Sequence, residues 1–313
     1  MQDAHLSSQN ANNCMNTKNN PRLEIVGGSS CKIKAHAKIN LLLDIINKRS
    51  DGYHNIKTIM QQIKLHDTVY INIKKTNDLC VNFLCSDSKL NKNNLCEKAA
   101  NLMIEKYNIS SGIDIFLKKD IPIAAGLGGG SSDAAAVITG INELFELNLR
   151  ADELIDTAKN IGADVPYFIY NKTALAEGIG EILTPLPAHP DCYIVLACLE
   201  TPVSTKEIFE KLDLSKINKR PNFENAIKAL SDKNLENISK ELTNIFDTVT
   251  KTLHMEINML QSKLDELGAV GSCMSGTGSA VYGYFCDKEK AKQASSVLKN
   301  ITKIVHLTKI KKD

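Results

Sequence analysis

Apolar residues along this chain recur at spacings that separate strands from helices. Between 32 and 45, Ile33, Ala35, Ala37 and Ile39 alternate with polar neighbours, and the stretch then becomes continuously apolar. That pattern predicts one or two strands. The S-D-G-Y at 50–53 is a turn signal. Residues 69–74 alternate again, with 79–84 as the expected hairpin partner, and 95–107 have helical spacing. A strand at 113–118 runs into P-I-A-A-G-L-G-G-G-S-S-D at 122–133. Beyond it, Ala134, Val137, Ile138, Ile141, Leu144 and Phe145 follow the i, i+3, i+4, i+7 rule of an amphipathic helix. A second helix is expected with Asp152 as its cap, Leu154, Ile155, Ala158 and Ile161 facing inward, and Gly162 at its end. Strands are expected at 193–199, 281–285 and 304–308. Helices are expected near 205–212, 221–231, 233–246, 250–267 and 288–300.

The first thirty residues lack this periodicity and are rich in Asn, Ser and Gln. Such a segment buries too little surface to offset its ordering, so 1–30 reads as a disordered tail or a misassigned start. It has neither the basic nor the apolar region of a secretory signal. Pro185, Pro187 and Pro190 mark a boundary. The expected domains are therefore 31–187 and 188–313, in keeping with a length of 313 residues.

Composition narrows the function classes. A net charge of +2 gives no broad field for nucleic acid or an anionic membrane. No apolar run is long enough to span a bilayer. Nine cysteines without a C-x-x-C pair argue against a disulfide framework or a zinc site and for reduced thiols in the cytoplasm.

The glycine-rich stretch carries chemistry. The order is strand, glycine loop, helix, with Ser131, Ser132 and Asp133 as candidate caps. The first helical turn leaves free N–H groups and a partial positive charge. Glycines just upstream remove the Cβ atoms that would keep a bulky anion away, which suits a phosphate chain. The alternative is a linker or a tight strand–helix turn. The common phosphate fingerprints fail: no glycine is followed by lysine, and G-x-G-x-x-G breaks at Ser131.

The loop resembles the P-x-x-x-G-L-[GS]-[GS]-[GS]-[SA] motif of the galactokinase, homoserine kinase, mevalonate kinase and phosphomevalonate kinase (GHMP) superfamily. A-K-I-N-L-L-L (37–43), D-G-Y-H (51–54), G-A-D-V-P-Y-F (162–168), A-E-G-I-G-E-I-L-T-P (176–185) and S-G-T-G (275–278) follow in order. Together they resemble the 4-diphosphocytidyl-2-C-methyl-D-erythritol kinases over about residues 32–310.

The resemblance implies a two-domain α+β fold. Its N-terminal α/β domain has a left-handed β-α-β feature, and its C-terminal domain is ferredoxin-like. It also implies transfer of the γ-phosphoryl of ATP to the 2-hydroxyl of the cytidine-linked methylerythritol, with Mg2+. The motif assigns Asp164 as the base that takes the hydroxyl proton and Lys38 as the cation that keeps Asp164 ionised and orients the hydroxyl. Pro122, Ile123, Ala124, Ala125, Gly126, Leu127, Gly128, Gly129, Gly130, Ser131 and Ser132 would hold ATP. Asn40, Tyr53, His54, Thr205 and Phe209 would hold the second substrate, with Tyr53 and His54 at its cytosine. S-G-T-G would lie beside the glycine loop. A metal ligand is not identified; Ser132 and Asp133 are nearest. Asp44 is taken as a structural acid. A monomer or weak homodimer is expected, without nucleic acid or membrane partners. The alternatives are another GHMP small-molecule kinase of mevalonate or homoserine type, and a non-catalytic nucleotide-binding regulator.

Overall fold

The computed structural model describes residues 22–74, 79–90, 94–217 and 219–312. It forms two compact units. The first holds the described residues up to His36 together with His66–Asp120 and Gly129–Tyr170; the second holds Ala37–Leu65, Ile121–Gly128 and the chain from Asn171. Two long strands, Ser30–Lys48 and His54–Ile73, contribute one end to each unit.

In the first unit Leu23–Val26 pairs antiparallel with the start of Ser30–Lys48. The ordered body thus begins before the expected residue 31, because L-E-I-V and a turn at Gly27 and Gly28, both at positive φ, make a hairpin. Residues 1–21 of the expected tail lie outside the described residues. Ile113–Lys118 pairs antiparallel with 68–73 and parallel with Val81–Cys85. The expected hairpin of 69–74 with 79–84 is therefore replaced by a crossover. The helix Leu95–Lys106 supplies the connection that a parallel pair needs. Gly129–Leu144 is buried along nearly its whole length. At Gly140 a Cβ would come within 2.5 Å of the Ile33 side chain and 2.6 Å of Ile71, so that helix meets the strands without a side chain between them. The next helix, Ala151–Lys159, starts two residues earlier than expected. Arg150 is its cap residue, its N–H bonded to Glu153 Oε2 at 3.0 Å, and Asp152 lies inside the first turn.

In the second unit a four-stranded antiparallel sheet runs in the order Gly271–Met274, Val281–Phe285, Tyr193–Cys198, Ile304–Lys309. One apolar cluster joins Ile39, Leu41 and Ile59 to Ile194, Leu196 and Tyr282; a second joins Leu43 and Ile45 to Val195, Phe246 and Leu264. Helices at Thr205–Lys211, Phe223–Ser231, Leu235–Glu241, Asp247–Leu253 and Met255–Glu266 accompany the sheet. The helix expected at 233–246 stops at Glu241, and Thr243–Asn244 instead pairs parallel with Leu42 and Leu43. The expected boundary at 187/188 falls inside this unit. Ala174–Gly178 pairs with both 56–60 and Ile182–Pro185, and the chain on both sides of Pro187 and Pro190 belongs to the same unit.

None of the eight described cysteines is in a disulfide. Among the described residues no helix is long and apolar enough to cross a membrane.

Candidate functional site

The glycine stretch turns on itself through left-handed backbone: Ala124, Gly126 and Gly128 have φ of 53°, 79° and 69°. It enters the helix at Gly129. The S-G-T-G loop lies directly against it. A Cβ on Gly126 would sit 2.1 Å from the Ser275 carbonyl oxygen, and one on Gly276 would sit 2.9 Å from the Gly126 Cα. No other residue type fits either position, so the two glycines permit backbone to meet backbone. Ser275 Oγ donates to the Gly126 carbonyl at 2.9 Å, and Ala280 N–H to the Ala125 carbonyl at 3.1 Å.

The strand beside this pair carries Lys38 and Asn40, which share one face at a spacing of two. Both are buried. Lys38 N–H donates to the Leu127 carbonyl at 3.0 Å, and its Nζ donates to Asn40 Oδ1 at 2.6 Å. The same oxygen accepts from Gly276 N–H at 2.9 Å and from Ser275 Oγ at 3.4 Å. Asn40 Nδ2 donates to Thr58 Oγ1 at 2.8 Å, and Thr58 donates to the Leu42 carbonyl at 2.6 Å. Lys38, Asn40 and both loops thus form one connected network.

Asn244 fixes the far side of S-G-T-G. Its Nδ2 donates to the Met274 carbonyl at 2.9 Å and the Gly276 carbonyl at 2.8 Å, and Oδ1 accepts from Phe246 N–H at 3.0 Å. Thr250 Oγ1 donates to the Thr277 carbonyl at 3.2 Å. Asn244 and Thr58 escape a sequence reading because an asparagine or threonine inside an element is an ordinary residue until its partners are known.

Thr205, first residue of its helix, has Oγ1 3.1 Å from that of Thr277. Phe209, one turn on, faces the His54 ring at 4.9 Å and meets Phe246 edge-on at 4.8 Å. Phe209 therefore serves the core and the His54 contact together. Partial burial, and then the charge of Lys48, pull His54 below its ordinary pKa. The neutral ring offers one donor and one acceptor. Tyr53 is 61% exposed beside it. Asp44 is buried and paired with Arg220 Nη1 at 2.7 Å, as expected of a structural acid.

In the first unit Asp164 is partly exposed, in the turn ahead of Val165–Tyr170. That turn is closed by Val165 N–H on the Gly162 carbonyl at 3.1 Å. Ser132 is buried, and Asp133 faces inward to Lys119 at 2.9 Å. Among the described residues no group of three His, Cys, Asp or Glu side chains could hold a metal ion.

The model for the GHMP kinases N terminal domain matches residues 94–172, and that for the GHMP kinases C terminal matches 226–302. A 4-diphosphocytidyl-2-C-methyl-D-erythritol kinase of Acetivibrio thermocellus is 46% identical over 273 residues, covering 87% of this chain and 95% of the relative. One from Clostridioides difficile is 42% identical over 83% of this chain and 88% of the relative. Among solved structures, that of a 4-(cytidine 5'-diphospho)-2C-methyl-D-erythritol kinase superposes with a TM-score of 0.77 at 28% identity. It covers 89% of this chain and 98% of the other. The L. major mevalonate kinase complexed with R-mevalonate shares the fold, with a TM-score of 0.69 at 16% identity, over 93% of this chain and 98% of the other.

Proposed function

The chain belongs to the 4-diphosphocytidyl-2-C-methyl-D-erythritol kinases of the GHMP family, and from that premise we propose how its residues divide the reaction. The enzyme transfers the γ-phosphoryl of ATP to the 2-hydroxyl of 4-diphosphocytidyl-2-C-methyl-D-erythritol, giving the 2-phosphate and ADP, in the non-mevalonate route to isoprenoid precursors. Phosphoryl transfer asks a protein mainly for positioning and charge stabilisation.

Backbone N–H groups of 124–132 hold the phosphates, and the left-handed turns aim them. Asp164 takes the proton of the attacking hydroxyl. Lys38, held by Asn40, offsets the negative charge that grows on the transferred group. Asn40 has a second Nδ2 hydrogen outside its bonds, available to the substrate. Tyr53, His54, Thr205 and Phe209 take the cytosine end, the neutral His54 ring reading donor and acceptor together. Magnesium brought in with ATP would offset the charge on its phosphates. Asp133, turned to Lys119, is not assigned to the metal.

The observation that carries this reading is the contact of Gly126 with Gly276 beside buried Lys38, a geometry that exists only where two backbones must converge. Phosphate transfer from labelled ATP, compared across the cytidine-linked alcohol, mevalonate and homoserine, tests it. Turnover of the cytidine compound alone is expected; equal turnover of the three alcohols would remove the assignment.

A further inference from the structure

Three buried charges stand at the two ends of the phosphate loop. Lys119 is the residue after the strand Ile113–Lys118, and Asp133 lies at the start of the helix Gly129–Leu144. Lys119 Nζ donates to Asp133 Oδ2 at 2.9 Å across fourteen positions of sequence, and also to Asp67 Oδ2. Asp67 Oδ1 accepts from Asp120 N–H at 2.6 Å. Asp67 and Asp133 are 0% and 2% exposed. Every one of these bonds lies within the first unit. The cluster therefore joins the last residues before the loop to the first helical turns after it.

Stability does not explain such an arrangement. A buried ion cluster is commonly matched or exceeded by apolar residues of the same volume, because desolvation offsets the Coulomb gain. What it supplies that apolar packing cannot is fixed direction and distance. A phosphate loop needs that, since its N–H groups converge on one anion only if strand end and helix start hold a set separation. Leaving the ends free would add the entropy of closing the loop to the cost of binding.

We propose that Asp67, Lys119 and Asp133 form a clasp that presets the loop for ATP, with Lys119 and Asp133 as positioning residues that never touch the substrate. This rests on the loop being the ATP site, as proposed above. It predicts an effect on ATP binding that is separable from chemistry and from the alcohol.

The test is Asp133→Ala in the full chain. It leaves Lys119 paired with Asp67, so no lone charge is buried. ATP dissociation by calorimetry and ATP KM should both rise about tenfold, the effect of losing one charge-assisted hydrogen bond. The KM of the alcohol and kcat should stay within about threefold, a difference smaller than one such bond. Asp133→Asn, which still offers Lys119 an oxygen, should restore ATP binding. If Asp133→Ala does not fold, the triple change Asp67→Asn, Lys119→Met and Asp133→Asn, which removes every charge of the cluster together, carries the same expectation. A lowered Tm with unchanged ATP binding, an equal loss in kcat and both KM values, or an Asn variant as weak as Ala would overturn the clasp while leaving the kinase assignment intact. A wild-type enzyme that binds no ATP would overturn both.

Discussion

In the second unit Asn40 gathers Lys38, Thr58 and the Gly276 N–H around one neutral amide. In the first unit Lys119 stands between two buried carboxylates. The first cluster fixes backbone by matching donors to acceptors, and it places no net negative charge in the interior. The second fixes backbone by attraction between ions and leaves Asp133 Oδ1 buried without a hydrogen-bond partner. Burial, ahead of the opposing charge of Lys119, holds the Asp133 carboxyl well above its usual range. The difference teaches that the same task, holding a glycine loop, can be done with or without sensitivity to pH.

Substitutions break the comparison to different degrees. Gly126→Ala should be the most damaging, because it adds both a collision with Ser275 and a disfavoured φ. About 4 kcal/mol of lost stability is expected, read by denaturant unfolding. Gly52→Ala is the control: it shares a positive φ of 88° but has nothing within 4 Å of the new Cβ. It should lose only about 1 kcal/mol.

Changing pH separates the units. His189 is buried against Tyr284 and is pulled down to about 4 by desolvation. A depressed pKa contributes stability above the ordinary value of 6.5 that is lost as pH falls through about 4. Wild type should lose ~3 kcal/mol across that window that His189→Phe does not lose. Parallel pH profiles for wild type and His189→Phe would refute the acid-side expectation.

Asn40→Ala removes an acceptor from Lys38 and Gly276 and a donor from Thr58. It should cost about 2 kcal/mol, with a fall in kcat because Lys38 loses its orientation. Ala124→Gly should be the smallest effect, a gain of up to about 1 kcal/mol. A non-glycine residue held at a φ of 53° gives up strain when its Cβ is removed. No change in thermal unfolding would mean that Ala124 bears no strain.

Much of this was legible in the amino-acid order, for reasons that are local. The strand 113–118, the glycine loop and the apolar helix after it are contiguous, so periodicity and turn chemistry suffice to read them. The first half of His54–Ile73 is not legible that way. Thr58, Gln61 and Gln62 are polar yet buried, and Gln61 is satisfied by Thr173, 112 positions away, at 2.6 Å. Lys119 sits in K-K-D and looks like a solvated lysine until Asp67 and Asp133 come together around it. Thr243–Asn244 interrupts a helical pattern because it pairs with Leu42 and Leu43, residues two hundred positions earlier. Asp164 stands out through its motif, since a partly exposed acid in a turn has no local signature.

The most direct test of the central claim is single-turnover phosphate transfer to the cytidine-linked alcohol by wild type and by Asp164→Ala at saturating ATP. A rate lower by about 10²–10⁴ with ATP binding unchanged is predicted, as for loss of a general base. A variant that transfers phosphate within a few-fold of wild type would contradict it.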